Sequence, residues 1–298
     1  MKKLLFILCI SLMWKFSYGQ IAQHNHFPTI KPSHILDDKL DNISFALSMR
    51  VLESDYEGPL VRLRRASDNQ EMDFSWGDND IVDINAINTW RGTSNVYLVI
   101  WYDQSGLNRN AVQPTTSRQP QFFPVAAHPY FQGNGTTHRL DINTSIQIVT
   151  NAGVNGSVLC VLTATRKNQH TFGVLVGSNR WSTHTNWGNG NTFFDPGFCC
   201  NNPRFFVNNT SENNWNQYTF IRGNTTVFAR QKAVLKFSGN HTTGRCTITN
   251  NFGILYANGT PTSSHSNNKI SEMIMYSTDI SSTYYSEIEE NEIKFWNL

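Results

Sequence analysis

The sequence predicts an all-β sandwich or jelly roll with a short helix near each end, and three observations carry that expectation. From residue 96 onward, short apolar runs recur between turns rich in Gly and Asn, the pattern of many short strands. Charged residues make up only 15% of the chain while aromatics reach 12%, which suits a packed β-protein with polar loops and excludes a disordered one. No internal repeat or linker breaks the chain, so residues 36–298 are expected to form one domain.

The elements follow in order. Residues 37–53 predict a helix, with Asp37 or Asp38 as cap and Leu40, Ile43, Leu47 and Val51 at helical spacing. Gly58-Pro59 ends it, and Leu60 to Arg65 alternates apolar and basic residues as a half-buried strand does. Asp83 caps a second short helix through Trp90. Val96–Trp101, Val158–Ala164, Gly173–Val176, Thr192–Phe194, Arg204–Val207 and Tyr218–Arg222 are expected strands. So are Thr225–Phe228, Ala233–Phe237, Thr247–Thr249, Gly253–Tyr256 and Ile270–Tyr276. Ser281 to Trp296 predicts a terminal helix, with Ser281 or Ser282 as cap.

Lys2 and Lys3, the apolar run Leu4–Met13 and the small residues of Ser17-Tyr18-Gly19 predict a cleaved signal peptide over residues 1–19. Residues 20–35 predict an irregular lead-in. The expected location is therefore extracellular or periplasmic, with no membrane attachment after cleavage. Cleavage removes three lysines and no acid, which leaves 21 basic and 22 acidic side chains. That near-balance excludes a nucleic-acid partner, which needs clustered Lys and Arg.

Cys160, Cys199, Cys200 and Cys246 follow the signal segment, and an oxidising compartment allows three pairings of them. The simplest set joins Cys199 to Cys200 and Cys160 to Cys246. Adjacent cysteines sit closer than the usual disulfide span, so pairing each with a distant partner, or leaving thiols free, stays open. No zinc-type spacing and no Asp-rich calcium loop occur, so no cofactor is expected.

Tyr56-Glu57-Gly58-Pro59-Leu60, Arg62-Leu63-Arg64-Arg65-Ala66-Ser67-Asp68 and Tyr102-Asp103-Gln104-Ser105-Gly106 stand in a segment, Ala46 to Ala111, that covers about a quarter of the chain. That segment resembles the opening of the catalytic domain of α-L-arabinofuranosidase B, glycoside hydrolase family 54. Tyr130-Phe131-Gln132-Gly133 and Ile270–Tyr276 resemble the wider concanavalin A-like and laminin-G-like jelly rolls. The resemblance implies a concanavalin A-like jelly-roll sandwich whose partner is a polysaccharide or surface glycan. Some laminin-G-like domains hold Ca²⁺, which leaves that ion open.

Hydrolysis with retention, as in that family, needs two carboxyl groups about 5–5.5 Å apart across the scissile bond. The resemblance aligns the family's Asp-x-Glu with Asp195-Pro196-Gly197, so Asp195 matches a sugar-binding Asp and glycine stands in place of the nucleophile. The family's acid-bearing Gly-Gly-Asp-Asn loop becomes Tyr256-Ala257-Asn258-Gly259-Thr260-Pro261, without an acid. The catalytic residues are therefore unassigned. Sugar contacts are expected from Trp187, whose flat face suits stacking, with His184 and Asp195 beside it. Cys199 and Cys200 join that set because family members carry an adjacent cysteine pair in the sugar site, although theirs precedes the Asp-x-Glu strand. Asp103 either lines the same groove or locks its own turn. Three functions follow: a glycan-binding domain without the acid pair, an active arabinofuranosidase using displaced acids such as Asp195 and Glu212, or a laminin-G-like adhesion module.

Overall fold

The computed structural model describes residues 34–164, 169–200, 204–207, 213–241, 244–259 and 265–298. They belong to one compact unit, Ser33–Leu298. The expected signal peptide and nearly all of the lead-in lie outside the described residues.

The strands of the N-terminal half are β1 (Ile43–Ser48), β2 (Val61–Arg65), β3 (Glu71–Phe74), β4 (Val96–Trp101), β5 (Ala111–Val112) and β6 (Gln121–Phe123). Next come β7 (Tyr130–Gln132), β8 (Leu140–Ser145), β9 (Gly156–Thr163), β10 (Phe172–Val176), β11 (Asn179–His184) and β12 (Asn191–Phe198). The chain ends with β13 (Phe205–Val207), β14 (Trp215–Arg222), β15 (Thr226–Gln231), β16 (Val234–Asn240), β17 (Asn251–Ile254) and β18 (Lys269–Tyr276). Among the described residues, four α-helical segments accompany them: α1 (Ile84–Arg91), the single turns α2 (Ile146–Val149) and α3 (Asn151–Val154), and α4 (Tyr285–Phe295).

Pairing is antiparallel throughout the named strands and builds two layers. One runs β16-β15-β14-β9-β18-β1. The other runs β13-β12-β11-β10-β17-β8-β5-β4-β2-β3. β6 and β7 bridge the layers by pairing β4 on one side and β18 on the other. Rings from the two layers meet in the core: Phe172 and Phe194 of the second layer lie 5.9 and 5.3 Å from Phe220 of the first. Phe45 and Phe252 pair across the same gap at 5.6 Å. The fold is thus the predicted all-β, jelly-roll sandwich.

Two expected elements are corrected. Residues 37–53 hold a strand instead of a helix. All six residues of β1 are buried: Phe45 and Leu47 enter the main core, while Ile43 and Ala46 face a second cluster with Leu36 and Ile288. A strand covered on both faces shows no period-2 alternation, and its apolar run then mimics helical spacing. Thr247–Thr249 is irregular, its backbone held by side chains: Asn179 Oδ1 accepts from Thr247 N at 3.1 Å, and Gln147 Nε2 donates to Ile248 O at 2.7 Å. α1 forms as expected, with Asp83 Oδ1 accepting from Ala86 N at 2.9 Å. α4 starts later than the expected serine caps, after Tyr284.

Candidate functional site

β11 and β12 build the site. Their register sets Ser182 opposite Asp195 and His184 opposite Phe193. Alternation along a strand then sends Trp181 and Phe194 to the core face, where their rings meet edge-on at 5.8 Å. Arg180, Ser182 and His184 of β11 share the other face with Phe193 and Asp195 of β12. The loop between the two strands carries Trp187. It is closed by Trp187 N donating to Asn191 O at 2.8 Å and Gly190 N donating to Trp187 O at 2.7 Å. Trp187 stays 38% exposed, edge-on to His184 at 4.5 Å and to Phe193 at 6.0 Å.

Below this aromatic wall lies a charged cluster. Asp195 is 1% exposed, and its Oδ2 accepts from Arg204 Nη2 at 2.6 Å while Arg180 Nη1 stands 3.7 Å away. Arg204 also lies over the Phe193 ring at 4.7 Å. Arg180 Nη2 donates to Gly177 O at 2.9 Å. Asp195 Oδ1, Arg180 Nε and Arg204 Nε are buried with no hydrogen-bond partner among the described residues. Burial lowers the Arg180 pKa and the neighbouring Arg204 adds to that, while Asp195 opposes it.

Two neutral histidines back the wall. His184 Nδ1 donates to Gln169 O at 3.0 Å, which sets its tautomer. Burial brings its pKa down to about 4, and the charges of Arg180 and Arg204 push the same way. His170 sits 3.9 Å from His184 ring to ring, and burial, with His184 and Arg180 adding, takes it to about 2.

Cys199 and Cys200 are disulfide-bonded to each other, with Cα atoms 3.7 Å apart. Cys199 N anchors the pair by donating to Ser178 O at 2.7 Å. The disulfide, Arg180, Arg204, His184, Trp187 and Phe193 enclose a cavity of about 220 Å³. That lies below the roughly 300–1,000 Å³ of drug-sized pockets and suits a single small ring. A larger groove of about 360 Å³ runs along Gly77–Asn85. Its Asp83 is spent on capping α1 and no aromatic platform lines it, so the smaller cavity is the better ligand site.

The structure thus gathers Trp187, His184, Asp195, Cys199 and Cys200 in one place. Asp103 is elsewhere. Its carboxylate accepts from Ala46 N at 2.8 Å, Ser105 N at 3.0 Å, Ser105 Oγ at 2.8 Å and Arg109 N at 2.9 Å, so it locks its own turn. The expected Cys160–Cys246 disulfide is also corrected, since both thiols are free and buried. Cys160 is fully enclosed in β9, between Tyr218 and Met273 of the flanking strands. Glu212 lies outside the described residues. Arg180 and Arg204 are functional candidates that sequence reasoning missed. Isolated basic residues in a polar stretch give no signal, and only the strand register reveals that both face Asp195.

Carboxyl spacing can be read from the register. Asp195 pairs with Ser182, Ser182 with Gly173, Gly173 with Gly253, and Gly253 with Asp141. Four strand steps at about 4.8 Å put Asp195 and Asp141 roughly 19 Å apart along the sheet. At Gly197, φ is +126° and an added Cβ would overlap Arg222 Nη1 and the Gly244 carbonyl oxygen, so no larger side chain fits there. Among the described residues, no group of three or more His, Cys, Asp or Glu side chains is arranged to hold a metal ion.

No protein-family model matches the chain, and no curated protein matches its sequence. Solved structures do match its fold. One is a glycoside hydrolase family 54 α-L-arabinofuranosidase soaked with a cyclic sulfate inhibitor, with a TM-score of 0.61 and 15% identity over 84% of this chain. Another is an arabinofuranosidase complexed with arabinofuranosyl-α-1,2-xylobiose, with a TM-score of 0.58 and again 15% identity over 84% of this chain. The chain covers 62% of the length of each. The class these findings define is a jelly roll with the architecture of those arabinofuranosidases.

Proposed function

We propose that this is a carbohydrate-binding jelly-roll domain that holds one terminal sugar residue of a polysaccharide or surface glycan. The observation that carries the reading is the cavity itself. A half-exposed Trp187 and the disulfide wall it, and two guanidiniums, Arg180 and Arg204, line it with a single carboxylate, Asp195, between them. Sugars offer a C–H face for the ring and hydroxyls that donate and accept. The structural likeness to an arabinofuranosidase that binds an arabinofuranosyl oligosaccharide supports the same class of partner.

Binding without hydrolysis is part of the proposal. Retaining chemistry needs carboxyl groups about 5–5.5 Å apart and inverting chemistry about 6.5–9.5 Å, far less than the separation of Asp195 and Asp141. Export through residues 1–19 belongs to the proposal too, and N-terminal sequencing of protein recovered outside the cell checks it. A glycan array with the full chain is the main test. A signal that Trp187→Ala abolishes while the fold persists supports the site, and an empty array favours the adhesion-module reading. Turnover of an aryl α-L-arabinofuranoside above blank would show an active hydrolase and overturn binding without hydrolysis.

A further inference from the structure

We infer that the sugar this site selects carries an anionic group, a uronic-acid carboxylate or a sulfate ester, and is not a neutral pentose. The inference rests on the carbohydrate reading above and adds the charge of the ligand. Two guanidinium groups line the cavity and one carboxylate answers them, so the cluster carries a surplus positive charge. Asp195 spends its Oδ2 on Arg204 at 2.6 Å and holds Arg180 only at 3.7 Å, which leaves Arg180 the freer cation.

The lining sharpens this. Arg180 and Arg204 wall the cavity, while Asp195, 1% exposed, lies outside the lining and binds Arg204 from behind. A ligand there must bring acceptors for two guanidiniums. A neutral sugar meets that need only with weak hydroxyl acceptors. An anionic sugar meets it with charge, and planar guanidinium forks match carboxylate and sulfate oxygens. No other acid of residues 180–260 is described that could neutralise the surplus. The neutral state of His184 and His170 is consistent with that positive field, since Arg180 acts on both.

Isothermal titration calorimetry on the full chain tests the inference with four probes: a methyl hexuronoside, its methyl ester, a sulfated monosaccharide and inorganic sulfate. The ester keeps the ring and every hydroxyl and loses only the charge. The expected result is at least tenfold tighter binding of an anionic sugar than of the ester, with the gap shrinking as salt rises. Whichever of the hexuronoside and the sulfated sugar binds tighter names the anion. Arg180→Gln weakens binding of the anionic sugar far more than that of the ester, so the preference collapses, while Arg180→Lys, which keeps the charge, retains part of it. Circular dichroism melts confirm that both variants fold. Equal affinity for acid and ester, or binding of neutral sugars alone on the array, overturns the inference and leaves the carbohydrate reading standing. Inorganic sulfate binding as tightly as the sugars would mean a bare anion site, which also overturns it. No binding of any probe, with an empty glycan array, removes the carbohydrate reading as well.

Discussion

Two buried ion pairs in this molecule are built to opposite specifications. Arg50 and Glu272 meet at 2.7 and 2.9 Å through two parallel bonds, and Ser48 Oγ and Trp296 Nε1 donate to the same carboxylate at 2.8 and 3.0 Å. Phe295 covers the guanidinium at 4.2 Å. Glu292 nearby has its carboxyl pushed well above the usual range, by burial and then by the charge of Glu272. Arg204 and Asp195 share a single close bond, with three polar atoms of their cluster unpaired and an open cavity beside them. The first pair is held by four hydrogen bonds, and it pins α4 and the β1–β18 edge. The second is left incomplete. A buried charge pair that is fully satisfied is framework, and one that is not is where a ligand is expected.

That contrast can be broken by experiment. Arg50→Ala should lose about 3–5 kcal/mol of stability in a urea titration, because it strands Glu272 in a dry site. A loss under about 1 kcal/mol would erase the distinction. Gly197→Ala should cost about 3 kcal/mol by the same measurement, combining a left-handed backbone with overlap on Arg222 and Gly244. A silent substitution there would mean that the floor can accept a side chain. Trp187→Ala, at a position 38% exposed, should leave the melting temperature nearly unchanged and weaken glycan binding roughly tenfold or more.

The most gradual effect is a pH slope. His184 titrates at about 4 when folded, against about 6.5 in the unfolded chain. Its contribution to stability is complete above pH 6.5 and drains away as pH falls toward 4, worth about 3 kcal/mol across the whole window. Melting temperatures across that window should fall less steeply for His184→Gln. His170, His128 and His138 are lowered in the same direction and add to the slope.

Legibility in the sequence tracked how each segment is buried. Val96–Trp101 was visible to the residue, and the Asp83 cap announced α1. β1 was hidden because both its faces are covered. β11, the strand that holds the site, escaped detection because its outer face is Arg180, Ser182 and His184, and polar residues interrupt any apolar run. The tryptophan, the aspartate and the cysteine pair could be named from chemistry. The arginines could not, since their meaning comes from pairing that spans nine to fifteen residues and from a cross-strand register. Cys160 and Cys246 misled because an even cysteine count suggests bridges wherever oxidation is expected, while here apolar packing encloses each thiol.

The ladder between β1 and β18 has a bearing on synthesis. Ser48 and Glu272 bond across 224 positions of sequence. At roughly 5–20 residues per second, the ribosome needs some eleven to forty-five seconds to deliver the second after the first. Throughout that interval a strand that is buried along its whole length in the finished fold waits without its partner, its edge open to pairing with a stranger.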